Sequence, residues 1–217
     1  MNESFDDIIR EYIDFVNQQV GVYMDALGGF AGNCARVERQ VHRVNRRSRI
    51  QNDGGKEVVV WASYEDPTKP DIIHNRIARA SEYMVTNADG GFNEQQHARG
   101  IIIFLFAYWE DEIRPRLARA TRVETNDIRS DIMGDLRILR HVILHEKGIV
   151  RPDKFRRLTK LREIAPENQP LQISYEDMHR LFVLIKQDLA QLLFEWLGVR
   201  DAPMNPGDIR DIAIQKR

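Results

Sequence analysis

Cysteine is almost missing from this chain: Cys34 stands alone among 217 residues. A single thiol cannot form an internal disulfide, which excludes a disulfide-stapled secreted scaffold and makes a reducing compartment the natural setting. Its plain reading is a lone buried thiol. Long apolar runs are missing too. The longest, residues 100–109 (GIIIFLFAYW), is about half of what a bilayer span requires, and it reads as the central, fully buried helix of a bundle. Nor is there a surplus of charge. With 32 Lys and Arg against 33 Asp and Glu the formal net charge is −1, which argues against a generic polycation. GxSxG and the GxG-type and GxxxxGK[ST] phosphate loops are absent as well, so nucleophile-elbow and nucleotide-loop chemistry have no local signal.

The length suits one domain, or one with a small appendage, able to bury roughly 70% of the surface its unfolded chain exposes. The first twenty residues, MNESFDDIIREYIDFVNQQV, carry acids where a signal peptide carries bases, and their apolar positions are spaced rather than continuous. The expectation is a cytoplasmic protein without membrane association.

Helical spacing dominates the chain. Ser4 and Asp7 form a capping-box-like start, and Phe5, Ile8, Ile9, Tyr12, Val16 and Tyr23 continue it towards Leu27, where Gly28-Gly29 is expected to end the helix. A second helix through Val37, Val41 and Val44 carries a basic cluster of Arg36, Arg39, Arg43, Arg46, Arg47 and Arg49. Residues 51–71 change texture: NDGG is turn chemistry, residues 56–64 (KEVVVWASY) are strand formers, and EDPTKPD holds two prolines. This predicts a small β or extended insertion around 56–64, with helix resuming over 72–85. A long helix is expected over 94–120, kinked or restarted at Pro115. Asn126 is expected to cap the next helix and Gly148 to stop it. A second basic cluster follows, with Arg151, Lys154, Arg156, Arg157, Lys160 and Arg162. Ser174 and Asp177 then open a last helix that ends at Gly198, before a loosely held tail.

Residues 137–148, RILRHVILHEKG, concentrate the chemistry. At about 100° per residue, Ile128, Ile132, Leu136, Leu139 and Ile143 form one narrow core stripe. Arg137, Arg140, His141, Leu144 and His145 lie opposite it, so an apolar residue sits among polar ones on a face expected to meet something besides its own core. The bland reading is a helix's ordinary polar edge. A metal reading has His141 and His145, at i and i+4, sharing an ion, but HVILH lacks the glutamate of HExxH and no third ligand is signalled, so neither metal nor cofactor is expected. A fixed cation beside a group that exchanges protons near neutral pH suits phosphoryl chemistry. A histidine ordinarily titrates near ~6.5 and can act as base or acid, while arginine keeps its proton and grips phosphate through a planar fork.

Arg140-His-Val-Ile-Leu-His145 resembles the R-x(4 to 6)-H motif of the HEPN superfamily, set near the end of a late helix after a long apolar one. The resemblance covers residues 93–198 in layout. It implies a mostly α, HEPN-like bundle of four or five main helices, here over residues 1–198 with an irregular insertion at about 51–71 and a tail at 199–217. It also implies a homodimer that brings two motifs into one cleft, and a metal-independent endoribonuclease of the kind found in toxin-antitoxin modules, antiphage defence and RNA processing. Arg140 and His145 would be the catalytic pair and His141, at a position polar in many members, a supporting residue. RNA is the implied partner, along with an antitoxin or defence-system protein. Arg137 and the two basic clusters are the residues expected to guide the phosphate backbone. Two other readings stay open: a non-catalytic dimeric module binding nucleic acid, nucleotide or a partner protein, and an unrelated regulator that binds DNA through the Arg36 to Arg49 helix.

Overall fold

The computed structural model describes residues 3–48, 58–66 and 68–198. The architecture is mostly α with a small β insertion, as the sequence implies. The chain divides into two compact units, one formed by Met1–Tyr23 with His97–Arg217 and the other by Met24–Gln96. The tail from residue 199, Pro67 and residues 49–57, with Arg49 of the first basic cluster and the start of the 56–64 segment, lie outside the described residues.

Helix α1 (Phe5–Ser48) is the first correction, because it runs unbroken through Gly28 and Gly29. Two interior glycines cost a helix about 2 kcal/mol together. Packing on either side outweighs that, since each buried apolar side chain contributes about 1.5–3 kcal/mol. Upstream, Ile8, Ile9, Tyr12 and Val16 are almost fully buried; downstream, Val37 packs with Ala80 and Tyr83. The expected Ser4 cap is present, with the Asp7 N–H donating to Ser4 Oγ at 3.1 Å.

In the second unit, strands β1 (Val58–Asp66) and β2 (Lys69–Arg79) pair antiparallel as a two-stranded sheet, from Val58 opposite Arg79 to Asp66 opposite Lys69. The expectation that residues 72–79 return to helix is therefore wrong. Ile72, Ile73 and Ile77 fit neither the helix nor the strand period cleanly, and pairing with a partner strand decides the matter. Helix α2 (Ala80–Asn87) follows directly and supplies the Ala80 and Tyr83 that cover Val37. Cys34 is half-buried, its thiol donating to the Met84 carbonyl at 3.5 Å. Burial first, then Asp89 and Glu38, push this thiol above its ordinary value, away from reactivity.

The first unit is a bundle. Helix α3 (Phe92–Tyr108), most of which belongs to this unit, is buried at Ala98, Ile101, Ile102, Leu105 and Phe106. It continues through one wide π turn (Trp109–Ile113) into α4 (Arg114–Thr121), with Pro115 in the first turn of α4. A proline ring collides with the carbonyl four residues back and offers no N–H, and the widened turn just upstream relieves both defects. Tyr12 ties α1 to α3 by donating its hydroxyl to the Leu105 carbonyl at 2.9 Å, and Phe5 stacks on Trp196 of the last helix at 5.0 Å between ring centroids.

Helix α5 (Asp131–His145) begins one turn later than expected. Its cap is Ser130, whose Oγ accepts the Met133 N–H at 3.2 Å; Asn126 sits instead in a separate short turn, Thr125–Asp127. A short helix α6 (Pro152–Phe155) and a long loop lead to α7 (Tyr175–Trp196), which opens with the expected Ser174/Asp177 capping box. Among the described residues no helix is long and apolar enough to cross a membrane.

Candidate active site

Helix α5 presents two unlike faces. Ile132, Leu136, Leu139 and Val142 are fully buried, whereas Arg137, His141, Leu144 and His145 are exposed and Arg140 is half-buried at the margin. The core stripe is broader than the one read from the sequence: Ile138 and Val142 join it, while Ile143 is only half-buried and Ile128 lies before the helix begins. Leu144 is 47% exposed in the middle of the polar face.

Arg140 is held by an aromatic ring rather than an acid. Its guanidinium carbon stands 5.9 Å from the centroid of the Phe106 ring on α3, and among the described residues it makes no hydrogen bond or ion pair. The contact positions the planar group and leaves all five of its N–H donors uncommitted. Phe106 also lines a groove with Glu110, Arg114, Met133 and Arg137, so further guanidinia border the same flank of the helix.

His141 and His145, one turn apart, have ring centroids 5.0 Å from each other with planes inclined at 47°. The geometry brings the two imidazoles together while Arg140 faces the adjoining edge, about 140° from His145 around the helix. His141 Nε2 lies 3.4 Å from Glu146 Oε1. Among the described residues no group of three or more His, Cys, Asp or Glu side chains is arranged to hold a metal ion.

The helix ends abruptly beside these rings. The N–H groups of Glu146 and Gly148 both donate to the Val142 carbonyl at 3.0 Å, with Lys147 and Gly148 in the left-handed region at φ of 55° and 77°. The expected stop at Gly148 is thus shared with Lys147. The returning chain is pinned by the Leu171 N–H donating to the Gly148 carbonyl at 2.7 Å and by Arg99 Nη2 donating to the Leu171 carbonyl at 2.8 Å.

The two basic clusters differ in kind. Arg36, Arg39, Arg43 and Arg46 are exposed on α1, although Arg36 also bonds the Tyr83 hydroxyl; the side chain of Arg47 lies outside the described residues. In the second cluster Arg151, Arg156, Arg157 and Lys160 are exposed, Lys154 pairs loosely with Asp153 at 3.9 Å, and Arg162 stacks over Phe155 at 5.5 Å.

Asp135, which sequence reasoning passed over, organises that second cluster. It is 1% exposed, and its carboxylate accepts the N–H groups of Thr159, Lys160 and Leu161 at 2.7–3.0 Å together with the Thr159 hydroxyl at 3.3 Å. The signal was available, since an acid flanked by Ile132 and Leu136 falls on the buried side of α5. Glu146, immediately after His145, was also passed over.

Comparison with known proteins yields no match to any family model, to any curated protein or to any solved structure.

Proposed function

We propose that the protein is a metal-independent endoribonuclease of the HEPN type, active as a homodimer, with Arg140 and His145 as its catalytic pair and His141 in support. The observation that carries the reading is the state of α5's outer face. An arginine with no acidic partner stands beside two exposed imidazoles on the last turns of one helix. A purely structural role would commit the guanidinium to ion pairs or hydrogen bonds, because that group is costly to leave unpaired as it leaves water.

The chemistry needs no more than these groups. One imidazole takes the proton of the 2′-hydroxyl, and O2′ attacks phosphorus. The P–O5′ bond breaks, and a protonated imidazole supplies the proton that the departing O5′ requires. The products are a 2′,3′-cyclic phosphate and a 5′-hydroxyl. Arg140 meets the charge that builds on the phosphorane oxygens, the step at which a preorganised donor counts for most. Each proton transfer is a role worth roughly 10²- to 10⁴-fold. The basic loop held by Asp135 and the arginines of α1 supply non-specific phosphate contacts. A toxin or defence effector, kept in check by a partner protein in the cytoplasm, is the biological setting that this activity suits.

The test is cleavage of total RNA, tRNA and a single-stranded oligonucleotide in EDTA. The wild-type protein is expected to cut at least one of them, and His145→Ala is expected to abolish cutting while melting unchanged. Activity that survives His145→Ala, or that EDTA removes, would overturn the reading.

Two observations favour a second reading, a non-catalytic dimeric binding module: Arg140 rests on a core aromatic and Leu144 is exposed, as packing residues of an interface would be. In that case RNA or nucleotide binds without being cut, and His145→Ala leaves binding unchanged.

A further inference from the structure

Glu146 lies outside the Arg and His motif, yet it carries the acidic group set against it. Its side chain is only 12% exposed, and Oε1 is 3.4 Å from His141 Nε2. Oε2 is buried and has no hydrogen-bond partner among the described residues. A carboxylate drawn this far out of water is costly to leave without a donor or a cation facing it. The one ion pair that Glu146 makes among the described residues is with His141.

The backbone gives this carboxylate little freedom. Glu146 is the residue that closes α5, its N–H bonded to the Val142 carbonyl, and the left-handed Lys147 and Gly148 reverse the chain at once. The reversal is anchored in turn through Gly148 and Leu171. Glu146 is thus held from below, while His141, 47% exposed, stands at the surface and tilts against His145.

We propose that Glu146 is a positioning residue that makes His141 the second proton-transfer group of this site. Facing Nε2 at 3.4 Å, the carboxylate favours the neutral form of His141 that carries its proton there, which leaves the lone pair on Nδ1. His141 Nδ1 takes the proton of the 2′-hydroxyl, and the carboxylate faces the imidazolium so formed. His145, protonated, gives its proton to O5′ as the P–O5′ bond breaks. The same division of labour, a carboxylate holding one imidazole nitrogen while the other moves the proton, operates in hydrolytic triads. This inference rests on the ribonuclease reading, and it places both imidazoles needed for the reaction on one protomer.

The experiment uses the full chain labelled with ¹⁵N-histidine and the variants E146A, E146D and E146Q, each checked by melting. Long-range ¹H–¹⁵N correlations of the His141 ring should show the Nε2–H form in the wild-type protein and lose that bias in E146A. Single-turnover cleavage in EDTA should fall about tenfold or more in E146A at unchanged RNA affinity. E146D and E146Q, which keep an acceptor, should fall in between, and E146Q, matching the native shape, decides the matter should E146A fail to fold. In a His141→Ala background, removing Glu146 should cost nothing more, because Glu146 acts through that ring. Additive losses, or a His141 ring indifferent to Glu146, would overturn the proposal. If wild-type protein cuts no RNA, the ribonuclease reading falls, and the ring measurement still decides whether Glu146 sets His141.

Discussion

Arg140 is seated on Phe106, its guanidinium 5.9 Å from the ring centroid, with no acid among the described residues to neutralise it. The ring steadies the group without occupying its donors. Arg140→Ala should therefore abolish RNA cleavage with little change in melting temperature. Arg140→Lys should restore little, because an ammonium keeps the charge and loses both the flat contact and the fork. A lysine variant as active as wild type would show that only net charge matters at this position.

Leu144, 47% exposed between His141 and His145, is an apolar residue left facing solvent on its own helix bundle. A two-fold contact of like patches would cover it. Light scattering at micromolar concentration should give a dimer, and Leu144→Lys should shift it towards monomer. A wild-type monomer would remove the shared-cleft arrangement.

Asp135 satisfies three backbone N–H groups of the basic loop at once. Asp135→Ala takes the acceptor from all three, the buried Leu161 N–H included, and should cost about 3 kcal/mol in urea unfolding. Changing Arg151, Arg156 and Arg157 to Ala should have the opposite profile: unchanged stability, weaker RNA binding and a flatter dependence on salt.

Glu11 accepts from the Tyr108 hydroxyl at 2.6 Å and from both terminal nitrogens of Arg116 at 2.7 and 2.6 Å, and Arg116 also binds Glu3. The hydrogen bonds from Arg116, and then from Tyr108, lower the Glu11 carboxyl from 4.5 to about 2. Because the folded value is the lower one, the stabilisation is complete above about 4.5 and is lost as the pH falls from there to about 2. Its size is modest, since 39% of the Glu11 side chain is exposed to solvent. Urea midpoints of wild type and Glu11→Gln should differ at neutral pH and converge through that acid window. A gap that ignores pH would assign the effect to shape rather than charge.

Gly28 and Gly29 lie inside α1, where an added Cβ would meet nothing within 4 Å. Alanine at either position should stabilise the protein by about 0.5–1 kcal/mol in urea unfolding. Were the pair a helix stop with a left-handed residue, alanine would destabilise instead, so the sign of the change tests the unbroken helix.

The sequence by itself determined those features that are written locally. The helical class, the caps at Ser4 and Ser174, the stop near Gly148, the β character of the insertion and the outward placement of Arg137, His141, Leu144 and His145 all follow from residue type and period. The Ser130 cap was legible too, as a serine followed by an acid and an apolar run, although Asn126 drew the assignment. Tertiary structure alone decided the continuity of α1 through Gly28-Gly29, because burial of Tyr12 and Val16 on one side and Val37 on the other outweighs a local penalty that the pattern registers as a break. It alone decided that residues 72–79 are strand, since a strand's hydrogen bonds belong to its partner. The seats of Arg140 on Phe106, Asp135 under residues 159–161 and Glu146 against His141 were decided in the same way. Two of the three join residues more than twenty positions apart, which no window along the helix contains, and the third, five residues long, depends on the chain leaving the helix at Glu146 and reversing through Lys147 and Gly148.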